Sequence, residues 1–168
     1  MMNLYILRHG LAVERGTPGC EKDSDRPLTP KGRRRSRQIA KAMKKLELSF
    51  DLALSSPYVR ARQTADIVAA TFNARRKLEL ADDLTPDGNP QALIEHLRDL
   101  QTGAENVLLV GHEPYLSRLI STLVAGNSGL PVILKKGGLC KLAVESLKYG
   151  RCAVLEWLLT PKQMELMV

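Results

Sequence analysis

Leu4-Tyr5-Ile6-Leu7-Arg8-His9-Gly10 runs four apolar residues straight into Arg-His-Gly, with no polar alternation before the break. A short apolar run ended by glycine is the pattern of a strand buried on both faces, as in a mostly parallel sheet. Arg8 and His9 then stand at the carboxyl end of that strand, where open α/β sheets place their ligands. Gly10 permits a sharp turn or a close approach of backbone to ligand. An imidazole beside a guanidinium suits phosphate: one can attack phosphorus, and the other can hold phosphoryl oxygens in a fork.

The same device recurs downstream. Val107-Leu108-Leu109-Val110 ends in Gly111-His112-Glu113-Pro114, and Leu52-Ala53-Leu54-Ser55 ends in Ser55-Ser56-Pro57. Between these runs the pattern turns helical. Thr29 before Pro30 is a helix start, with Ile39, Ala42, Met43 and Leu46 as the buried stripe. A second helix is expected from Tyr58 to about Phe72, a short strand at Leu78 to Leu80, and a turn-rich loop from Asp82 to Pro90. A third helix runs from Pro90 to Leu100, closed by Gly103, and a fourth carries Leu116, Leu119, Ile120 and Leu123 on one face. Leu139 to Leu147 and Ala153 to Leu159 flank Lys148-Tyr149-Gly150-Arg151 as a hairpin, and the tail after Pro161 is expected to be peripheral. The reading is α/β: a three-layer α/β/α sandwich in a single domain spanning 1–168, its mixed sheet mostly parallel with a C-terminal hairpin.

Composition excludes several classes. The 168 residues are 44% hydrophobic and 26% charged, ordinary for a folded globular chain. No apolar run approaches the roughly 18 residues that cross a membrane. Arg8 and His9 interrupt the opening run too early for a signal peptide, so no membrane partner and a cytoplasmic location are expected. Cys20, Cys140 and Cys152 are scattered without a CxxC pair, which argues against disulfides and zinc; Cys140 and Cys152 are expected in strands and Cys20 in a loop. The formal charge of +7 favours anionic partners, but aromatics are only 4%, leaving little for base stacking, and nucleic acid is not the expected partner. Arg33, Arg34, Arg35, Arg37, Lys41, Lys44 and Lys45 concentrate the charge on one helix, read as a solvated face with a docking surface for an acidic partner as the alternative.

In a mostly parallel sheet the strand ends share one edge, so Arg8, His9, the Ser55-to-Arg60 segment and His112 converge there. An unpaired cluster of buried cations is costly, and an anion among them removes that cost. These motifs carry a family resemblance. Leu7-Arg8-His9-Gly10, Arg26-Pro27-Leu28-Thr29 with Gly32, Ser55-Ser56-Pro57-Tyr58-Val59-Arg60-Ala61-Arg62-Gln63-Thr64 and Gly111-His112 resemble the histidine phosphatase superfamily, of phosphoglycerate mutase-like fold. The short length and Leu84-Thr85-Pro86-Asp87-Gly88 are most similar to its compact SixA-type phosphohistidine phosphatase branch.

The resemblance implies that His9 is the nucleophile, that Arg8, Arg60 and His112 hold the phosphoryl oxygens, and that Arg26 adds a further phosphate-side arginine. No metal and no cofactor are implied. His9 must be neutral at its attacking nitrogen, so its other nitrogen should donate to a carbonyl. Larger members of the family carry a glutamate as general acid in an insertion between the second and third helices. Here that connection is short and offers Glu79, Asp82, Asp83 and Asp87, of which Asp87 is the candidate acid. Glu113 reads as a helix start, Ser55 and Ser56 as caps, Gln63 and Thr64 as packing or helix-face residues, Arg62 as solvated, and His96 as a surface or edge residue.

The function this implies is hydrolysis of phosphohistidine in a protein through a covalent phosphohistidine. A phosphomonoesterase for a small metabolite such as a sugar phosphate is the alternative within the same chemistry. A low-turnover phosphoprotein-binding module is the alternative from another class, although binding an anion would not require His9. A mutase fits less well, because the chain leaves little room for a lid that excludes water.

Overall fold

The structure is a computed structural model and describes residues 1–100 and 103–168. One six-stranded sheet organises it. In chain order the strands are β1 (Met2–Arg8), β2 (Leu52–Ser55), β3 (Leu78–Leu80), β4 (Asn106–Gly111), β5 (Leu139–Val144) and β6 (Ala153–Leu159), arranged β3-β2-β4-β1-β5-β6. The pairs β1–β4, β2–β4 and β2–β3 are parallel, whereas β5 runs antiparallel to both β1 and β6. The helices are α1 (Pro30–Lys45), α2 (Val59–Thr71), α3 (Pro90–Asp99), α4 (Tyr115–Ala125) and α5 (Pro161–Glu165).

Alternation along β1 explains the layers. Leu4 and Ile6 face a cluster with Leu93, Ile94 and Leu97 of α3 and Leu116, Leu119 and Leu123 of α4. Tyr5 and Leu7 face the opposite cluster, with Ile39, Ala42 and Met43 of α1 and Ala61, Ala65 and Val68 of α2. A strand apolar on both sides is thereby buried between two helical layers, as the unbroken run of β1 requires.

Register brings the motif residues to one edge. Arg8 stands opposite Gly111, and Ser55 opposite Val110. The residues that follow each strand, His9, Ser56 and His112, are therefore neighbours although far apart in sequence. Gly32 lets the loop after β1 pass over α1, since a Cβ there would meet the Leu11 carbonyl oxygen at 2.1 Å.

The structure differs from expectation at the C-terminal end. The tail after Pro161 is not peripheral: α5 packs on α1, Met164 is fully buried in the core, and Arg35 pairs with Glu165 at 2.5 Å. Thr160 starts the helix by a reciprocal cap with Gln163, ahead of Pro161. The connection between β5 and β6 is also longer than a tight turn, because β5 ends at Val144. Cys152 precedes β6 rather than lying in it. No helix of the described residues is long and apolar enough to cross a membrane.

Candidate active site

His9 is 5% exposed, His112 1% and Arg60 3%, so the candidate site begins as three buried polar side chains at the sheet edge. The backbone around His9 is tied on several sides. Its N–H donates to the Gly111 carbonyl at 3.0 Å, and the Gly137 N–H donates to the carbonyls of both Arg8 and His9 at 3.0 Å. The Gly10 N–H donates to Thr64 Oγ1 at 3.0 Å, and that hydroxyl donates to the Arg60 carbonyl at 2.7 Å. Gly10 thus makes its close approach to helix α1 rather than to a ligand: a Cβ there would meet Ser36 Oγ at 2.7 Å, and its amide is already engaged.

The tautomer of His9 follows from its partners. Nδ1 lies 2.7 Å from the Gly10 carbonyl oxygen, which can only accept, so Nδ1 carries the proton. Nε2 keeps its lone pair and accepts from Arg60 Nε at 3.3 Å. Burial, only partly opposed by the Gly10 hydrogen bond, pushes the pKa of His9 down to about 2, with His112, Arg60 and Arg8 adding repulsion. The imidazole is neutral, with its free nitrogen under a guanidinium.

His112 sits 5.0 Å from His9, ring centre to ring centre. Its Nε2 meets Ser56 Oγ at 2.8 Å, and that hydroxyl also accepts from the Tyr58 N–H at 3.2 Å. The Ser56 hydrogen can go to Nε2, which leaves Nδ1 to carry the other imidazole proton; Nδ1 is buried and has no partner among the described residues. Burial and the charge of Arg60 lower the pKa of His112 to about 3. Arg8 donates to the Leu134 carbonyl at 3.0 Å, while its Nε is a second buried donor without a partner among the described residues.

A residue that the sequence did not mark holds the arginines in place. Asp23 accepts from Arg60 Nη2 at 2.9 Å and from Arg26 Nε at 2.9 Å, and its carbonyl accepts from Arg60 Nη1 at 2.6 Å. Arg26 is fixed further by the Val13 carbonyl at 2.7 Å, and Arg15 lies 3.4 Å from the same carboxylate. Burial raises the pKa of Asp23, but the hydrogen bonds from Arg60 and Arg26 outweigh it and hold the carboxyl below its ordinary value. An aspartate three positions before Arg26 was the available signal.

Arg8, His9, Arg26, Arg60 and His112 line one hollow of about 360 Å³. The structure does not bring Asp87 into it. Asp87 lines the adjoining hollow with Asp23, Tyr58 and Pro86, and the two hollows share Arg15, Arg26 and Pro86. The carboxylates that do line the His9 hollow are Glu14 and Glu113. Glu113 is engaged by the Ser117 N–H at 3.1 Å and by the Ser117 hydroxyl. Ser56 and Thr64, read from sequence as cap and packing residues, hold His112 and the Gly10 peptide, and Gln63 accepts from the Leu28 N–H at 2.8 Å. Arg62 is 61% exposed, and His96 lies 3.5 Å from Asp83. Larger hollows exist elsewhere, but none of their linings includes His9 or His112.

Known proteins resemble this chain in sequence and fold. The profile of the histidine phosphatase superfamily (branch 1) matches residues 4–85. The phosphohistidine phosphatase SixA of Escherichia coli is 32% identical over 76% of this chain and 77% of its own. The chain belongs to the histidine phosphatase superfamily. An uncharacterised protein of a Picosynechococcus species is 36% identical to this histidine phosphatase, over 84% of each chain. The structure of the protein histidine phosphatase SixA complexed with tungstate superposes on it with a TM-score of 0.82, at 27% identity, over 96% of this chain and 98% of the other. Both relatives named SixA place this histidine phosphatase in the SixA-type branch.

Proposed function

We propose that the protein is a phosphohistidine phosphatase acting on a phosphorylated protein, as a single domain in the cytoplasm, with His9 as nucleophile. The observation that carries this reading is the hydrogen bond from His9 Nδ1 to the Gly10 carbonyl, which leaves Nε2 unprotonated, with the lone pair that attacks. In the first step the Nε2 lone pair forms a bond to phosphorus, the bond from phosphorus to the substrate imidazole breaks, and the departing nitrogen takes up a proton. In the second step water attacks the phosphorus on His9, loses a proton, and releases inorganic phosphate and neutral His9. Arg8, Arg60 and Arg26 and the Nδ1–H of His112 stabilise the charge on the transferring oxygens, where most of the rate is gained. An imidazole leaves as a neutral group once protonated, and that proton can come from solvent near neutral pH.

One observation favours a second reading within the same chemistry. Glu14 lines the hollow with no hydrogen bond to its carboxylate among the described residues, so it is placed to protonate an alkoxide leaving group. A small phosphomonoester would then be the substrate. A turnover panel separates the two. Phosphohistidine peptides should be cleaved with much higher kcat/KM than alkyl phosphates, with p-nitrophenyl phosphate between them. Equal or better turnover of sugar phosphates, lost in Glu14→Gln, would establish the second reading. Phosphoprotein binding without turnover of any of them would establish a binding module.

A further inference from the structure

Arg8 and Lys136 line the catalytic hollow and also a second one of about 570 Å³. Its wall is built from three separate parts of the chain: Lys31 in the first turn of α1, Lys135 and Lys136 in the segment before β5, and Lys162 in the first turn of α5. All four lysines are exposed, and among the described residues none has an ion-pair partner. No aspartate or glutamate lines the hollow; Glu165 on α5 is already taken in a two-pronged pair by Arg35, and Glu14 and Glu113 line the adjoining catalytic hollow instead. Of the basic residues expected from sequence to form a docking face on α1, only Arg35 reaches this groove; Arg33, Arg34 and Arg37 do not line it.

We propose that this lysine-lined groove docks acidic side chains that flank the phosphorylated residue of a protein substrate. The proposal rests on the phosphoprotein reading above and adds its selectivity. Like charges gathered without counter-charges repel one another, and an acidic partner relieves that repulsion while steering encounter. The chemistry of the lining points to a protein rather than to a second phosphate. A built phosphate site uses fixed forks; of the two arginines here, Arg35 is occupied by Glu165 and Arg8 is tied to the Leu134 carbonyl and shared with the catalytic hollow, whereas lysines are mobile point charges suited to dispersed carboxylates. The groove also adjoins the catalytic hollow through Arg8, so a chain whose phosphorylated side chain enters one passes its neighbours across the other.

The test compares two phosphohistidine peptides that differ only in flanking residues, a run of glutamates against a run of glutamines. The wild-type chain is set beside the Lys31→Glu/Lys162→Glu variant, which leaves the catalytic residues intact. At low salt the wild type should favour the glutamate peptide by about tenfold in kcat/KM, the scale of several exposed charge contacts together, with the effect in KM and not kcat. High salt should erase the preference, and the variant should lose or reverse it while cleaving the glutamine peptide at the wild-type rate. Equal turnover of both peptides by the wild type, or a preference kept in the variant, overturns the proposal. Competition by short DNA or RNA but not by the unphosphorylated glutamate peptide also overturns it. Running the same pair as phosphoserine peptides keeps the readings separate: turnover of those alone refutes phosphohistidine as substrate, while the acidic preference is still measured. Fluorescence anisotropy with the unphosphorylated peptides gives the same comparison without turnover.

Discussion

Arg60 meets His9 and Asp23 with different edges of one guanidinium: Nε stands 3.3 Å from His9 Nε2, and Nη2 stands 2.9 Å from Asp23 Oδ2. The aspartate holds the far edge while the near edge faces the nitrogen proposed to attack. Asp23→Asn should therefore separate two effects. Turnover falls about tenfold in kcat, the scale of one hydrogen bond to a charged group, because Arg60 and Arg26 lose their common anchor. Competitive inhibition by inorganic phosphate grows stronger, because both guanidiniums are released from a carboxylate. Steady-state kinetics with phosphate as inhibitor reads both; a parallel loss of turnover and phosphate affinity would refute the anchoring role.

Removing the proposed nucleophile should give a sharper outcome. His9→Ala abolishes turnover, and the wild type mixed briefly with labelled substrate carries an acid-labile, base-stable phosphoryl group that the variant lacks. Arg8→Ala and Arg60→Ala each lower kcat/KM by about 10²–10³-fold, as when one preorganised donor to a transition-state charge is lost. Arg33→Ala, half-buried on α1 and outside the lining of the His9 hollow, leaves the turnover of a small ester nearly unchanged.

Acid should weaken the fold through the two histidines. Their folded pKa values, about 2 for His9 and about 3 for His112, lie below the ordinary 6.5 that they regain on unfolding. At intermediate pH the unfolded chain binds more protons than the folded one, so stability rises with pH there and falls as pH drops from about 6.5 toward 3. Asp23 acts in the same direction further down: its contribution is present above its ordinary 3.8 and is lost as pH falls below that value. Denaturant midpoints measured across pH should show this slope, and His112→Asn should flatten it. An unchanged slope in that variant would sink the assignment of a buried neutral imidazole.

Ser56 sets the orientation of His112 through the 2.8 Å contact with Nε2. Ser56→Ala should lower kcat about tenfold, again the scale of one hydrogen bond, with a smaller change in KM. Ser56→Thr, which restores a hydroxyl, should recover part of the loss. If the alanine variant loses only thermal stability, the serine serves the start of α2 and not the reaction.

The parts legible in the sequence were those that repeat a physical pattern. Unbroken apolar runs marked β1, β2 and β4, and their polar ends delivered His9 and His112 to one edge without further information. Thr29 ahead of Pro30 gave the start of α1, and its side chain accepts from Gly32 N at 2.9 Å as a cap should. Arg60 carried no periodic signal, and its place depended on the motif around it. Asp23 offered only its spacing from Arg26, for a related reason. It lies in the three-residue turn Asp23–Asp25, in a loop whose return toward β1 is fixed by distant contacts such as the Val13 N–H donating to the Pro27 carbonyl at 2.9 Å. Met164 was missed because α5 is five residues long, too short for a helical stripe, and its burial depends on the face that α1 offers it. Loop reasoning brought Asp87 to the hollow beside the one lined by His9, with Pro86 lining both, because single-residue placement in a turn depends on contacts that the sequence pattern does not encode.

The peptide units on either side of His9 are gripped by Gly111, Gly137 and Thr64, which lie on three segments widely separated along the chain. A fragment that forms β1 and β4 alone, or a folding intermediate in which the β5 side has not docked, presents the imidazole without the frame that aims it. The frame around His9 is therefore complete only when all three segments are docked and the sheet is closed. Turnover should thus report on whether this edge of the sheet is closed.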